Sequence, residues 1–271
     1  MRILLMIFLC LGLTKGYGIE DNIFLLELPD RIGGKVEIYM ESPKTSFDQL
    51  LIFFHGADGN KGLKGISTDW CTHWLDKGYA VAAISLPGYG GTSGQKDFCG
   101  PHTMLIVNEA VNHVKETLGV KDFGVIGFGQ GGLAGALLST MRDDVRLVVC
   151  TNGGYDFFRH MFPGDPLLDI LREKNYEIDI QDLDSIEARS LCSQVAKLQA
   201  PLFLLHRRGH PTVSVEEVKD FAHAMNQAGK ECHLVICDEA EGEKISYEET
   251  LKATEAWVDA HMKLRCMIQF Q

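Results

Sequence analysis

Short apolar runs alternate with amphipathic stretches along most of this chain. The run Leu50–Phe54 is Leu-Leu-Ile-Phe-Phe and ends abruptly in His55-Gly56, a pattern typical of a strand buried in a parallel sheet. Residues 101–118 instead carry apolar side chains at helical spacing: Val107, Ala110, Val111, Val114 and Leu118. That spacing predicts an amphipathic helix, so the chain contains both kinds of element in alternation.

The same patterns predict the remaining elements. The predicted strands are Ile23–Glu27, Lys35–Met40, Leu50–Phe54, Ala80–Ser85, Phe123–Ile126, Arg146–Thr151, Leu202–His206 and His233–Cys237. Three predicted helices are Trp70–Lys77, 101–118 and a small-residue helix from Gly132 to Ser139. A fourth helix is capped by Ser214 and Glu217 and ended by Gly229. A last helix is capped by Ser246 and Glu249 and continues to Met262. Residues 154–190 interrupt the alternation of strands and helices and are expected to form a short lid-like insertion. Strands and helices alternating at this pace predict an α/β fold with a doubly wound, mostly parallel sheet.

The first 18 residues have the pattern of an export signal. Arg2 precedes an apolar run, Ile3–Leu13, which is too short to span a bilayer but matches the hydrophobic core of a signal peptide. A buried first strand is the alternative, although Thr14-Lys15-Gly16 ends the run badly for a strand. Gly16-Tyr17-Gly18 supplies a small-x-small cleavage site. We expect removal of residues 1–18 and a secreted or periplasmic protein without a membrane span after cleavage.

Composition favours one domain, which would cover residues 19–271. The 271 residues are 45% hydrophobic, and no repeat or Pro/Gly/Ser-rich linker divides them. The net charge of -11 includes Arg2 and Lys15, so the mature chain would carry 24 minus 37, or -13. An acidic chain without a Lys/Arg cluster argues against nucleic acid as a partner.

The cysteines fit export without requiring it. Removal of Cys10 with the signal would leave seven: Cys71, Cys99, Cys150, Cys192, Cys232, Cys237 and Cys266. An odd number implies at least one free thiol or an intermolecular bridge. Cys71 and Cys99 lie near the starts of two predicted helices and are the candidate disulfide. No spacing matches a zinc site, and neither a metal nor another cofactor is expected.

Loops at the carboxyl ends of predicted strands carry the chemical signals, since ligands of a parallel sheet bind there. They are His55-Gly56-Ala57, Leu86–Gly94, Gly127–Gly132 and the segments after the last two strands. In order and spacing they resemble the α/β-hydrolase superfamily, most closely its prolyl-oligopeptidase-like and dienelactone-hydrolase-like branches. The resemblance covers nearly all of the chain after residue 18, including Glu187–Ser190 and Ala200–His206.

All three triad positions implied by this resemblance hold other residues. The family's nucleophile elbow, G-x-S-x-G-G, is here Gly127-Phe128-Gly129-Gln130-Gly131-Gly132, which puts Gly129 at the serine position. The family's H-G-x-x-D-x-x-V corresponds to residues 206–213 and puts His210 at the acid position. Glu243, within one or two residues, is the best match to the family's histidine. Because the three groups act as a unit, no catalytic residue of the usual kind is expected.

The backbone of an oxyanion hole is retained in the resemblance. In the family, N–H groups after the H-G pair and after the nucleophile bind the developing oxyanion, and the matching residues are Ala57 and Gln130. Gly127, Gly131 and Gly132 complete the elbow. The alternative is that these loops persist only because the fold needs them.

Three functional interpretations follow. The leading one is a secreted, catalytically inactive pseudo-hydrolase that binds a small apolar ligand or a protein partner. Five residues of the insertion would line its pocket: Tyr155, Phe157, Phe158, Met161 and Phe162. The alternative is an atypical hydrolase in which Glu243, with His210 behind it, activates a water in the space at Gly129. A lesser alternative is a dinucleotide-binding oxidoreductase, because Gly127, Gly129 and Gly132 also match G-x-G-x-x-G.

Overall fold

A twisted β-sheet runs through the centre of the molecule. The computed structural model describes residues 22–57, 61–66, 68–237 and 247–262. Its strands are β1 (Ile23–Glu27), β2 (Lys35–Glu41), β3 (Leu50–Phe54), β4 (Ala80–Ile84), β5 (Phe123–Phe128), β6 (Val145–Thr151), β7 (Leu202–Arg207) and β8 (Cys232–Cys237). Its α-helices are α1 (Thr68–Asp76), α2 (Pro101–Leu118), α3 (Gln130–Met141), α4 (Pro166–Glu173), α5 (Leu183–Arg189), α6 (Val215–Gln227) and α7 (Tyr247–Met262). Short 3-10 helices cover Gly62–Gly65, Phe157–His160 and Leu191–Lys197.

The strand order is β1-β2-β4-β3-β5-β6-β7-β8. β1 pairs antiparallel with β2, and β2 pairs antiparallel with β4, whereas all pairs from β4 to β8 are parallel. The predicted α/β fold with a mostly parallel sheet is therefore confirmed. Because β3, β5, β6 and β7 run the same way, the loops that follow them gather at one edge of the sheet.

Both faces of the central strands are covered. In β3, Leu50, Ile52 and Phe54 join one apolar cluster, and Leu51 and Phe53 join a second cluster on the opposite face. All five side chains are 0% exposed. This explains the continuous apolar run in the sequence, since a strand buried on both faces shows no alternation of polar and apolar residues.

The predicted disulfide does not form. Cys71 and Cys99 are both buried and unbridged, and the described residues contain no disulfide. The physical reason is their placement: Cys71 belongs to the apolar cluster with Leu51, whereas Cys99 belongs to the cluster on the other face of the sheet. The prediction from helix starts was wrong because the sequence did not reveal which face each helix covers.

Residues 154–190 contain the second 3-10 helix, α4 and α5. Asp165 caps α4 by accepting from the N–H groups of Leu167 and Leu168, and Pro166 occupies the first helical position. Leu167, Leu168 and Leu171 bury one face of this helix. In the part of the chain that the structure describes, no helix has the length and apolarity needed to cross a membrane.

Several predictions concern residues outside the described ranges. These are the signal segment 1–18 with Cys10, the loop residue Glu243, the cap residue Ser246, and Cys266.

Candidate active site

A sharp turn between β5 and α3 forms the centre of the site. Gly129 alone connects the two elements, with φ 53° and ψ −118°. Its N–H donates to the Thr151 carbonyl at 2.8 Å, and its own carbonyl accepts from the Gly132 N–H at 3.1 Å. Glycine adopts this positive φ at little cost, whereas an L side chain would be strained there.

The neighbouring glycines are required by close packing. A Cβ on Gly127 would lie 2.3 Å from the Gly131 carbonyl oxygen. A Cβ on Gly131 would lie 2.3 Å from the Phe54 carbonyl oxygen. A Cβ on Gly132 would lie 3.1 Å from Cys150 Cβ. By contrast, a Cβ on Gly129 would meet only Gly56 Cα, at 3.8 Å. The turn explains Gly127, Gly131 and Gly132 without a dinucleotide, and it leaves open space at Gly129.

A cavity of about 400 Å³ opens onto this turn. It lies beside Gly129, Gln130, Ala57 and His210, so the structure brings together four of the predicted site residues. The other lining residues come from the neighbouring loops and from α4 with its C-terminal end: Gly56, Phe98, Phe128, Thr151, Asn152, Gly154, Leu167, Ile170, Leu171, Lys174, Pro211, Thr212 and Val213. Apolar walls with a few polar groups at one end are typical of small-molecule sites.

Two residues that line this cavity, Gln130 and Ala57, offer backbone N–H groups as donors. Gln130 is the first residue of α3, where N–H groups lack an acceptor inside the helix and the helix dipole favours negative charge. Ala57 follows β3 in a loop that is fixed by His55. His55 Nε2 accepts from the Leu86 N–H at 2.9 Å, so its Nδ1 carries the proton and donates to the Gly56 carbonyl at 2.7 Å. Such an arrangement can bind an oxygen that gains negative charge.

His210 lies in the loop after β7 and is neutral at physiological pH. Its Nδ1 accepts from the Val213 N–H at 3.2 Å, so the ring proton sits on Nε2. Burial, and then the neighbouring His206 and Arg207, lower the pKa of His210 to about 4. The ring is therefore a hydrogen-bond donor through Nε2 above that pH, rather than a strong base.

The insertion contributes to the site through α4 instead of the predicted aromatic residues. Tyr155 and Phe157 are buried in the core, Phe158 and Phe162 are exposed, and none of the five predicted residues lines the cavity. The wall is formed by Leu167, Ile170 and Leu171. The prediction failed because it relied on aromatic content, whereas the cap signal Asp165-Pro166 marks the helix that faces the cavity.

Two further residues of this region were missed by sequence reasoning. Lys174 Nζ donates to the Ala57 carbonyl at 2.9 Å, and the Tyr176 hydroxyl donates to Gln130 Oε1 at 2.9 Å. Nothing in the local sequence marks these contacts, since they join positions 117 and 46 residues apart. Within the described ranges, no group of three or more His, Cys, Asp or Glu side chains could hold a metal ion.

Comparison with known proteins identifies the family. The family model for the alpha/beta hydrolase fold matches residues 49–230, which is 182 of the 271 residues. The chain belongs to the α/β-hydrolase family. No curated protein gives a significant sequence match.

Solved structures of this fold include peptidases and esterases. An acylaminoacyl peptidase of Pyrococcus horikoshii superimposes with a TM-score of 0.68 at 18% identity, over 81% of this chain and 37% of that chain. An esterase of Pyrococcus furiosus superimposes with a TM-score of 0.69 at 17% identity, over 92% of this chain and 96% of the esterase. Esterase 2 of Thermogutta terrifontis, phosphonylated by sarin, superimposes with a TM-score of 0.70 at 18% identity, over 92% of this chain and 98% of that esterase. This α/β hydrolase therefore spans little more than a third of the peptidase but nearly the whole length of the esterases.

These findings correct the interpretation of the chain as a catalytically inactive pseudo-hydrolase. The proteins with similar folds are named as esterases and peptidases, and the elbow here still faces a cavity with backbone donors. The interpretation was wrong because it equated the replacement of all three triad residues with the absence of chemistry. A hydrolase with an unusual site fits these observations better.

Proposed function

We propose that this α/β hydrolase cleaves a short acyl ester by direct attack of water. The observation that carries the proposal is the open space at Gly129, which adjoins both the cavity and the backbone donors of the site. In that space a water molecule can take the place of a side-chain nucleophile. The apolar wall of Leu167, Ile170 and Leu171 suits the hydrocarbon part of a small acyl group.

The proposed reaction needs a base, an acceptor for the oxyanion and a leaving alcohol. Glu243, which lies outside the described residues, takes a proton from the water as its oxygen bonds to the acyl carbon. The carbonyl electrons move to oxygen, where the N–H groups of Ala57 and Gln130 stabilise the negative charge. Collapse of this intermediate breaks the bond to the alcohol oxygen, which receives the proton. His210 supplies a neutral donor, Nε2–H, for the bound oxygen atoms.

The chain carries a formal charge of -11, which supports a neutral small-molecule substrate over a nucleic-acid partner. The apolar segment before Ile19 supports secretion or periplasmic export as part of the same proposal.

Filling the space at Gly129 tests the proposal. Steady-state hydrolysis of p-nitrophenyl acetate and butyrate would be measured for the native protein and for Gly129→Ala. The added methyl group meets no atom closer than 3.8 Å, so it fits, but it occupies the place of the water. We expect kcat to fall on the order of 100-fold, the scale of a lost base-activated nucleophile.

The matched control is Gly229→Ala. Gly229 also has a positive φ, 68°, and a Cβ there has no neighbour within 4 Å, but it lies after α6, away from the cavity. It also places an L residue at a positive φ, without touching the site. Equal kcat in the two variants, or no hydrolysis by the native protein, would overturn the proposal.

A further inference from the structure

Ala57 lies between two peptide groups whose oxygens both accept from side chains. The Gly56 carbonyl accepts from His55 Nδ1 at 2.7 Å and from Gln130 Nε2 at 3.5 Å. The Ala57 carbonyl accepts from Lys174 Nζ at 2.9 Å. In a trans peptide, the N–H points opposite to the preceding carbonyl. Fixing the Gly56 oxygen therefore fixes the direction of the Ala57 N–H.

The orientation of the Gln130 side chain depends on Tyr176. Because the Tyr176 hydroxyl donates to Gln130 Oε1 at 2.9 Å, the amide must turn its Nε2 donor toward the Gly56 carbonyl. Tyr89 and Tyr176 also share a hydrogen bond. Burial, and then Tyr89, raise the pKa of Tyr176 far above the usual range, so its hydroxyl keeps its proton.

Both side chains project from the same rigid helix end. Lys174 follows α4, and Asn175 adopts the left-handed conformation with φ 56°. The Tyr176 N–H donates to the Leu171 carbonyl at 2.9 Å, and the Asn175 N–H donates to that of Arg172 at 3.1 Å. These bonds form a Schellman motif, which holds the residues on either side of Asn175 in defined directions.

We propose that Lys174 and Tyr176 are positioning residues that aim the Ala57 N–H at the oxyanion. Lys174 acts on the Ala57 carbonyl, and Tyr176 acts through Gln130 on the Gly56 carbonyl. The inference rests on the proposed hydrolase function, since an oxyanion forms only if acyl transfer takes place. It assigns the C-terminal end of α4 a role in organising a loop that is more than 100 residues away in sequence.

Removing each donor tests this role. Lys174→Met removes the bond to the Ala57 carbonyl, and Tyr176→Phe removes the bond that orients Gln130 toward the Gly56 carbonyl, while the side-chain volume is nearly kept. We expect kcat on p-nitrophenyl esters to fall about 10–100-fold with KM changed less than about threefold, as for a weakened oxyanion donor. Lys174→Arg keeps a donor and should recover most of the kcat.

Matched controls exist elsewhere in the chain. Lys230 Nζ donates to the Leu198 carbonyl at 2.7 Å, and the Tyr79 hydroxyl donates to Asp259 at 3.4 Å, both outside the set of residues that line the cavity. Lys230→Met and Tyr79→Phe should therefore keep the native kcat. If Lys174→Met and Tyr176→Phe behave like these controls, the positioning role is wrong.

The amide resonance of Ala57 separates this inference from the proposed function. If the native protein does not hydrolyse the esters, the hydrolase proposal fails, and the inference is then judged by the ¹⁵N–¹H shift of Ala57. A shift that changes in Lys174→Met and Tyr176→Phe but not in the controls supports the positioning of that N–H. An unchanged shift overturns it.

Discussion

At the scale of single residues, Gly129 determines what the site can do. Its backbone has φ 53° and ψ −118°, a conformation that glycine adopts without the strain that an L residue would carry there. The position leaves room for a side chain, because its nearest neighbour would be 3.8 Å from a Cβ. The glycine therefore leaves open space at this turn.

Rebuilding a serine triad at this position is the residue-scale prediction. The triple variant Gly129→Ser, His210→Asp, Glu243→His should react with a fluorophosphonate probe at position 129, because it restores nucleophile, acid and base together. It should also be less stable by about 1–3 kcal/mol from the backbone strain. Labelling would be mapped by mass spectrometry.

Gly129→Ser alone is the control for that experiment. Its hydroxyl would lack an imidazole to take the proton, so it should stay unlabelled, as should the native protein. Labelling of the single variant would mean that Glu243 can activate a serine at position 129 without an imidazole. A folded triple variant without labelling would show that Glu243 or His210 is not at the family's position.

At the scale of elements, α4 is attached at both ends to the rest of the molecule. The residues Lys174 and Tyr176, which follow its C-terminal end, contact Ala57 and Gln130. Its cap residue Asp165 accepts from His160 Nδ1, at 3.1 Å to Oδ2, and His160 Nε2 donates to Glu217 Oε2 on α6 at 2.9 Å. The His160 and Asp165 side chains are 7% exposed and that of Glu217 is 2% exposed. This buried group fixes the helix that lines the cavity.

The His160 group makes the stability of the protein depend on pH. Burial lowers the pKa of His160, but the hydrogen bonds and charges of Glu217 and then Asp165 outweigh burial, and the net pKa is raised above 6.5. The stabilisation by charged His160 is therefore complete below the unfolded pKa, about 6.5, and is lost as pH rises through the folded value. His160→Gln should cost about 3–5 kcal/mol at pH 5.5, since it leaves two buried carboxylates without their partner, and less at pH 8.5.

Urea denaturation at the two pH values measures this difference. His223→Gln is the control, because His223 lies exposed on α6 and its loss should change the free energy of unfolding by less than about 0.5 kcal/mol. A cost of His160→Gln that stays constant between pH 5.5 and 8.5 would show that His160 does not change its charge in this range.

At the scale of the whole molecule, the sheet direction concentrates the chemistry at one edge. The elbow after β5, the Ala57 loop after β3 and the His210 loop after β7 all follow parallel strands. The opposite edge has no part in the proposed reaction. The rest of the chain serves as a support, with both faces of the sheet covered by apolar clusters.

The mature N-terminus is the prediction for the molecule as a whole. If the apolar segment Ile3–Leu13 is an export signal, intact-mass measurement of exported protein should show a chain that begins at Ile19. Its formal charge should be -13, from 24 positive and 37 negative groups. A soluble cytosolic product that retains Met1 would contradict export.

The sequence by itself determined the eight described strands, five of the seven described α-helices, the sheet class and the elbow of this protein. Leu50–Phe54, for example, predicts a strand from its own composition, and Gly127–Gly132 predicts a turn, because backbone preferences act over a few residues. The resemblance to the α/β-hydrolase family then assigned Gly129, Gln130, Ala57 and His210 to the loops that follow these strands.

Only the tertiary structure decided which side chains meet. It separated Cys71 from Cys99 across the sheet and replaced the expected aromatic wall by Leu167, Ile170 and Leu171. It also brought Lys174 to Ala57 over 117 residues. The face that a helix covers and the contacts of its ends depend on packing summed over the whole core, so no local pattern encodes them.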